Sequence, residues 1–149
     1  VDGMMYNGTC FDFDGTDDKV VTNNAVITGT GDFTFTAWIN RATVNTTDFI
    51  CGNYGAGNSG GVEFYVSGGT VLRCYIGGNY TTGSLSMVAD TWYHVAVTRT
   101  SGTLQNYINA ATDGAAVAAG AANVPAPATA LPICEYVTFP VPSRYILNL

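Results

Sequence analysis

Asp12, Asp14, Asp17 and Asp18 form the densest group of carboxylates in the 149-residue chain. Like charges this close repel unless a cation or a hydrogen-bonded turn relieves them, and oxygen ligands on a loop suit Ca2+. The stretch predicts either a calcium site, with Asp14, Asp17 and Asp18 as ligands and backbone carbonyls completing the shell, or an Asp-Gly turn in which Asp17 accepts backbone N–H bonds. His94 is the single histidine, so a multi-histidine metal site is impossible and any imidazole base must be that residue. No G-x-S-x-G nucleophile elbow accompanies it, and it reads as a core or sheet histidine. Glycoside hydrolysis needs two carboxylates set across the scissile bond, and Glu63, between Val62 and Phe64, has no acid nearby on its own strand face. The chain is expected not to be an enzyme.

Sugar binding asks for less: aromatic faces, short amides or carboxylates for hydroxyls, and a glycine-rich rim that lets a ligand approach. Residues 52–83 hold all of these, with ten glycines interspersed. The expected ligand-binding set is Asn53, Tyr54, Tyr65, Arg73, Tyr75, Asn79 and Tyr80, with Asn58 beside it. The competing reading is that these tyrosines cover the sheet against other segments or meet a partner chain. Trp38 and Trp92, in or at the start of alternating strands, are expected in the core. Cys10, Cys51, Cys74 and Cys134 show no C-x-x-C pairing, which argues against zinc or a redox dithiol. Two disulfides, one disulfide or four buried thiols all remain compatible with that count.

Only 11% of the residues are charged, and the net charge is −6. A single Lys and four scattered Arg cannot form an electropositive footprint, which excludes nucleic acid and anionic membrane surfaces as partners. The longest near-apolar run, Ala115 to Ala122, falls far short of the ~20 residues of a membrane span, so no membrane insertion is expected. The chain opens at Val1 without a charged segment before an apolar stretch, so any targeting segment is expected to be removed or absent. Three N-x-S/T sequons, at Asn7, Asn45 and Asn79, are no more than so many Asn, Ser and Thr supply by chance.

The elements that must carry these groups are strands. Phe33 to Ile39 alternates with period two and places Phe33, Phe35, Ala37 and Ile39 on one face. Further strands are predicted at Cys10–Phe13, Lys19–Thr22, Phe49–Cys51, Val62–Val66, Leu72–Ile76, Tyr93–Thr98 and Leu104–Ile108, separated by Gly, Asn, Asp and Ser. Such spacing indicates a two-sheet antiparallel sandwich. In one hairpin, keeping Val62, Phe64, Val66, Leu72, Cys74 and Ile76 on a common inner face pairs Phe64 with Cys74, Tyr65 with Arg73 and Glu63 with Tyr75. Residues 111–149 differ in kind. All five prolines fall between Pro125 and Pro142, and the alanine-rich stretch 110–122 could form a turn or two of helix weakened by Gly114 and Gly120. They are read as a loop-rich extension ending in an edge strand near Tyr145–Leu149 that folds back over the sandwich or docks on a neighbour.

Four motifs in order then carry a family resemblance. Phe11-Asp12-Phe13-Asp14-Gly15-Thr16-Asp17-Asp18-Lys19-Val20 resembles the "F-D-G-x-D-D-Y-V" opening of laminin-G-like, concanavalin-A-like domains. Phe33 to Ile39 is similar to their "F-T-[IF]-x-[AF]-W-[IV]" strand, Thr91 to Thr98 to "W-Y-H-V-A-V-T", and Gly102 to Asn109 to "G-x-L-x-L-Y-V-N-G". Lys19 stands where the family usually has Tyr, Ala110 replaces the glycine of the "N-G" turn, and the closing "G-x-I-D-E-V-R-I-Y" strand is not recognisable in 111–149. The resemblance implies an all-β jelly-roll sandwich over residues 1–110 with a Pro/Ala-rich extension at 111–149. It further implies a non-catalytic carbohydrate-binding or adhesion module, extracellular or surface-exposed, whose partner is a glycan. The alternative is a structural or decoration subunit of a virion, filament or surface, assembling with neighbouring subunits through 111–149.

Overall fold

The computed structural model describes residues 5–6, 11–13, 20–21, 27–44, 47–52, 61–124, 132–133 and 145–148. Among them the strands are β1 (Met5–Tyr6), β2 (Phe11–Phe13), β3 (Val20–Val21), β4 (Phe33–Arg41), β5 (Asp48–Gly52), β6 (Val62–Ser67) and β7 (Val71–Ile76). They continue with β8 (Asn79–Tyr80), β9 (Trp92–Thr100), β10 (Thr103–Ile108), β11 (Ala111–Ala118), β12 (Pro132–Ile133) and β13 (Tyr145–Asn148). A seven-stranded sheet runs β1-β2-β13-β4-β9-β10-β11, and a six-stranded sheet runs β3-β12-β5-β6-β7-β8. Every pairing between these strands is antiparallel, and the two sheets form a jelly-roll sandwich.

Period-two alternation decides what is inside. Ala37 and Ile39 of β4, Val95 and Val97 of β9 and Leu104 and Ile108 of β10 meet Val62, Phe64, Val66, Leu72, Cys74 and Ile76 of β6 and β7 in one core. Phe35 closes edge-on against Phe64, with ring centroids 5.6 Å apart. Each such aliphatic or aromatic side chain contributes roughly 1.5–3 kcal/mol by leaving water. The core also holds a satisfied polar bridge between the sheets. Asn106 Nδ2 donates to the Leu72 carbonyl at 3.0 Å, while Thr81 Oγ1 donates to Asn106 Oδ1 at 2.8 Å and accepts from the Cys74 amide at 2.9 Å.

Three expectations change at this level. The alanine-rich stretch is neither loop nor helix: Ala111–Ala118 pairs with β10 and extends the seven-stranded sheet past residue 110. Long-range pairing overrides alanine's helical preference here, helped by Gly114, which adopts φ +74 and leaves room for the Thr82 carbonyl. The strand expected at an edge, β13, lies between β2 and β4, paired through Ile146 with Asp12 and with Asn40. Trp38 and Trp92 are not in the core; they are 47% and 43% exposed. Parity explains this, since burying Phe35, Ala37 and Ile39 obliges Trp38 to face outwards, and burying Tyr93, Val95 and Val97 does the same to Trp92.

Candidate functional site

The β6–β7 hairpin has the register expected of it: Glu63 opposite Tyr75, Phe64 opposite Cys74, Tyr65 opposite Arg73. Its turn is Gly68-Gly69-Thr70, and both glycines take positive φ, 56° and 86°, where a side chain would be strained. With Phe64 and Cys74 turned into the core, Glu63, Tyr65, Arg73 and Tyr75 share the outer face of the six-stranded sheet. Tyr75 also pairs with Tyr80 of β8.

These side chains touch one another. Arg73 lies beside Tyr65, and its guanidinium carbon lies 5.3 Å from the centre of the Tyr80 ring. Arg73 Nε is buried and finds no acceptor. Phe49 of β5 stacks on Tyr65 with centroids 5.4 Å apart. The result is a row of aromatic rings built around one cation. Burial pushes the Tyr65 hydroxyl above its ordinary pKa, opposed by Arg73. Glu63 lies on this face yet is only 9% exposed, and burial raises its carboxyl above the usual range. Cys74, beneath the hairpin, has its thiol pushed up to about 12 by burial, with nearby Glu63 adding to the effect. Cys51 and Cys74 pair with Phe64 from opposite sides, two strand spacings or roughly 9–10 Å apart, so they do not bridge each other.

Of the residues expected to bind ligand, the structure brings together Tyr65, Arg73, Tyr75 and Tyr80. It does not add Asn79, which shares the register of core-facing Ile76 and turns its amide back on the Gly77 carbonyl at 3.3 Å. Asn53, Tyr54, Asn58 and the carboxylates Asp14, Asp17 and Asp18 lie outside the described residues. Phe49 is an addition that alternation alone could not find. Phe49 pairs with Tyr65 but Cys51 with Phe64, so a bulge at Ile50 puts Phe49 and Cys51 on opposite faces where strict alternation would unite them. Glu63 is the one carboxylate among the described residues of this hairpin. His94, on the other sheet, packs its ring 5.2 Å from Trp38.

The model of the concanavalin A-like lectin/glucanases superfamily matches residues 14–133. The chain belongs to that superfamily. No curated protein matches its sequence. Among solved structures, the receptor binding domain of botulinum neurotoxin D is similar at a TM-score of 0.71 and 13% identity, covering 98% of this chain and 41% of the other. The binding domain of Paraclostridial Mosquitocidal Protein 1 gives 0.75 at 11% identity, covering 99% and 41%. The botulinum neurotoxin serotype D ligand binding domain in complex with N-acetylneuraminic acid gives 0.70 at 15%, covering 97% and 39%. This superfamily member thus spans about two fifths of those domains, and at such identities the likeness is one of fold. The fold is lectin-like and the neighbours are binding domains. Among the described residues no helix is long and apolar enough to cross a membrane.

Proposed function

We propose that the chain is a non-catalytic carbohydrate-binding module and that its ligand is an acidic sugar lying on the outer face of the six-stranded sheet. The observation that carries this reading is Arg73. Its guanidinium stands beside Tyr65 and the exposed Tyr80 on that face, with no carboxylate paired to it among the described residues. A sugar carboxylate on that face would accept a charge-assisted bond from the outward guanidinium nitrogens. Tyr75 and the exposed Tyr80 would stack on the ring's C–H faces, and Tyr65 would bond a hydroxyl. The bound N-acetylneuraminic acid of one structural neighbour is a ligand of this chemical class, in a domain of more than twice this length.

The finer expectations belong to the same proposal: an extracellular or surface setting, an adhesive role, and calcium at Asp14, Asp17 and Asp18 as a structural ion. Calorimetry with 3′-sialyllactose and with lactose tests the ligand, and a thermal melt with and without EDTA tests the ion. Binding of the sialylated sugar alone, weakened about tenfold or more by Arg73→Ala with the melt unchanged, is the expected result. Equal affinity for both sugars, or an Arg73→Ala variant that binds as the parent does, would overturn the reading.

A further inference from the structure

The chain has two tryptophans, and both stand on the outer face of the seven-stranded sheet, across the sandwich from Arg73. Trp38 faces His94 across the β4–β9 pair, and Trp92 faces Asn40. The two indoles are therefore diagonal neighbours, roughly 7–8 Å apart by strand geometry. They sit on the long central strands of the sheet. β4 and β9 pair continuously from Phe33–Arg99 to Asn40–Trp92, and the His94 backbone is pinned from the other side, its amide donating to Asn109 Oδ1 and its carbonyl accepting from the Asn109 amide. The His94 imidazole and the Asn40 amide, which lie between the indoles, make no side-chain hydrogen bond with any described residue.

Two large exposed aromatic surfaces on a rigid support, with open polar groups between them, form a recognition surface rather than scattered apolar exposure. Its charge narrows the ligand. Along β4, β9 and β10 the residues on this face are Thr, Trp, Asn, His, Ala, Gln and Tyr, with no Asp, Glu, Lys or Arg among them. An acidic ligand would find no fixed cation here. The threonine and amide surround is too polar for a purely apolar partner.

We infer that Trp38 and Trp92 form the stacking platform of a second binding site, for a neutral oligosaccharide, with Asn40 and His94 bonding its hydroxyls. The diagonal spacing serves two successive rings of one oligosaccharide, each indole meeting the C–H face of one ring. This site is independent of Arg73, so the two sheet faces would select sugars of different charge.

Because the chain has no other tryptophan, its indole emission reports on this site alone. The protein is titrated with cellohexaose, laminarihexaose and mannohexaose, following emission and acrylamide quenching, with calorimetry for affinity. At least one hexasaccharide should shift the emission to the blue and protect it from quencher, with saturation. Trp38→Ala and Trp92→Ala should each weaken binding about tenfold or more. Both tryptophans are exposed, and circular dichroism checks that the variants keep the fold. The inference is overturned if none of the three sugars changes the emission at millimolar concentration. It is equally overturned if sedimentation shows a dimer that Trp38→Ala dissolves, since the face would then be a protein interface.

Discussion

Arg41 and Asp48 are each 2% exposed, between the sheets, and they tie the β6–β7 hairpin to the opposite sheet. Arg41 Nε donates to Asp48 Oδ2 at 2.5 Å, its Nη2 is ion-paired to the same oxygen, and its Nη1 donates to the Gly69 carbonyl at 2.7 Å. One guanidinium of β4 thus holds both β5 and the β6–β7 turn. Asp48→Ala removes this carboxylate from a buried positive charge, a change that costs about 3–5 kcal/mol. That is a large share of the roughly 5–15 kcal/mol by which a domain is stable. At about 2–4 °C per kcal/mol for a chain of this size, the melting temperature should fall by about 6–20 °C. Much of the penalty comes from taking a carboxylate away from a buried charge rather than from a lost bond, so replacing both residues with leucine should recover part of the loss. Urea unfolding of Asp48→Ala, Arg41→Leu and the double leucine variant measures all three. A loss below about 1 kcal/mol for Asp48→Ala, the value of a surface pair, would refute this account. So would a double variant no more stable than the worse single one.

Asn109 and Ala110 form the β10–β11 turn with φ of 50° and 67°, a left-handed conformation that disfavours a side chain. Ala110→Gly should therefore raise stability by about 0.5–1 kcal/mol in urea titrations, even though glycine is the more flexible residue in the unfolded chain. Glu63 binds its proton more tightly folded than unfolded, because burial lifts its pKa above the ordinary 4.5. As pH rises from about 4.5 through that raised value the unfolded chain releases this proton first, so stability falls across the window and the full penalty persists above it. Glu63→Gln should accordingly stabilise the protein at pH 7 in thermal melts, with the gain shrinking as the pH drops towards 4.

The β6–β7 register was legible because two constraints met at that hairpin: six apolar residues needing one face, and a glycine-bearing connection that fixes the offset. The bulge at Ile50 was not, because an extra residue leaves no mark on composition, and it alone carries Phe49 to the site. Residues 111–118 hid their strand behind alanines, which pack poorly in a sheet. The evidence for that strand lies in its partners, β10 on one side and the segment after β8 on the other. The tryptophans teach a different lesson. A residue type's preference for burial conflicted with the parity of its strand, and parity prevailed because reversing it would expose five inward side chains of β4, four of them apolar, to bury one indole.

The low charge of the chain understates how neutral its surface is. Of the charged described residues whose burial is defined, Asp32, Arg41, Asp48, Glu63, Arg73, Asp90, Arg99 and Asp113, five of eight are buried: Arg41, Asp48, Glu63, Arg99 and Asp113. Three of the five reach across gaps in the backbone. Arg41 holds the hairpin turn, Arg99 Nη2 donates to the Gly120 carbonyl at 3.0 Å, and Asp113 Oδ1 accepts the Ser84 and Leu85 amides at 2.8 and 2.9 Å. The last contact closes the open side of the sandwich, where β11 and the segment after β8 meet, and so shields an edge from pairing with another chain. Charge is used inside, for assembly. Arg73 is the one described arginine that is not buried, and under the proposed function it is the cation placed to select a ligand by charge. On the opposite face selection falls to shape and neutral hydrogen bonds, so substitution of Arg73 and substitution of Trp38 should separate acidic from neutral sugars in a single pair of titrations.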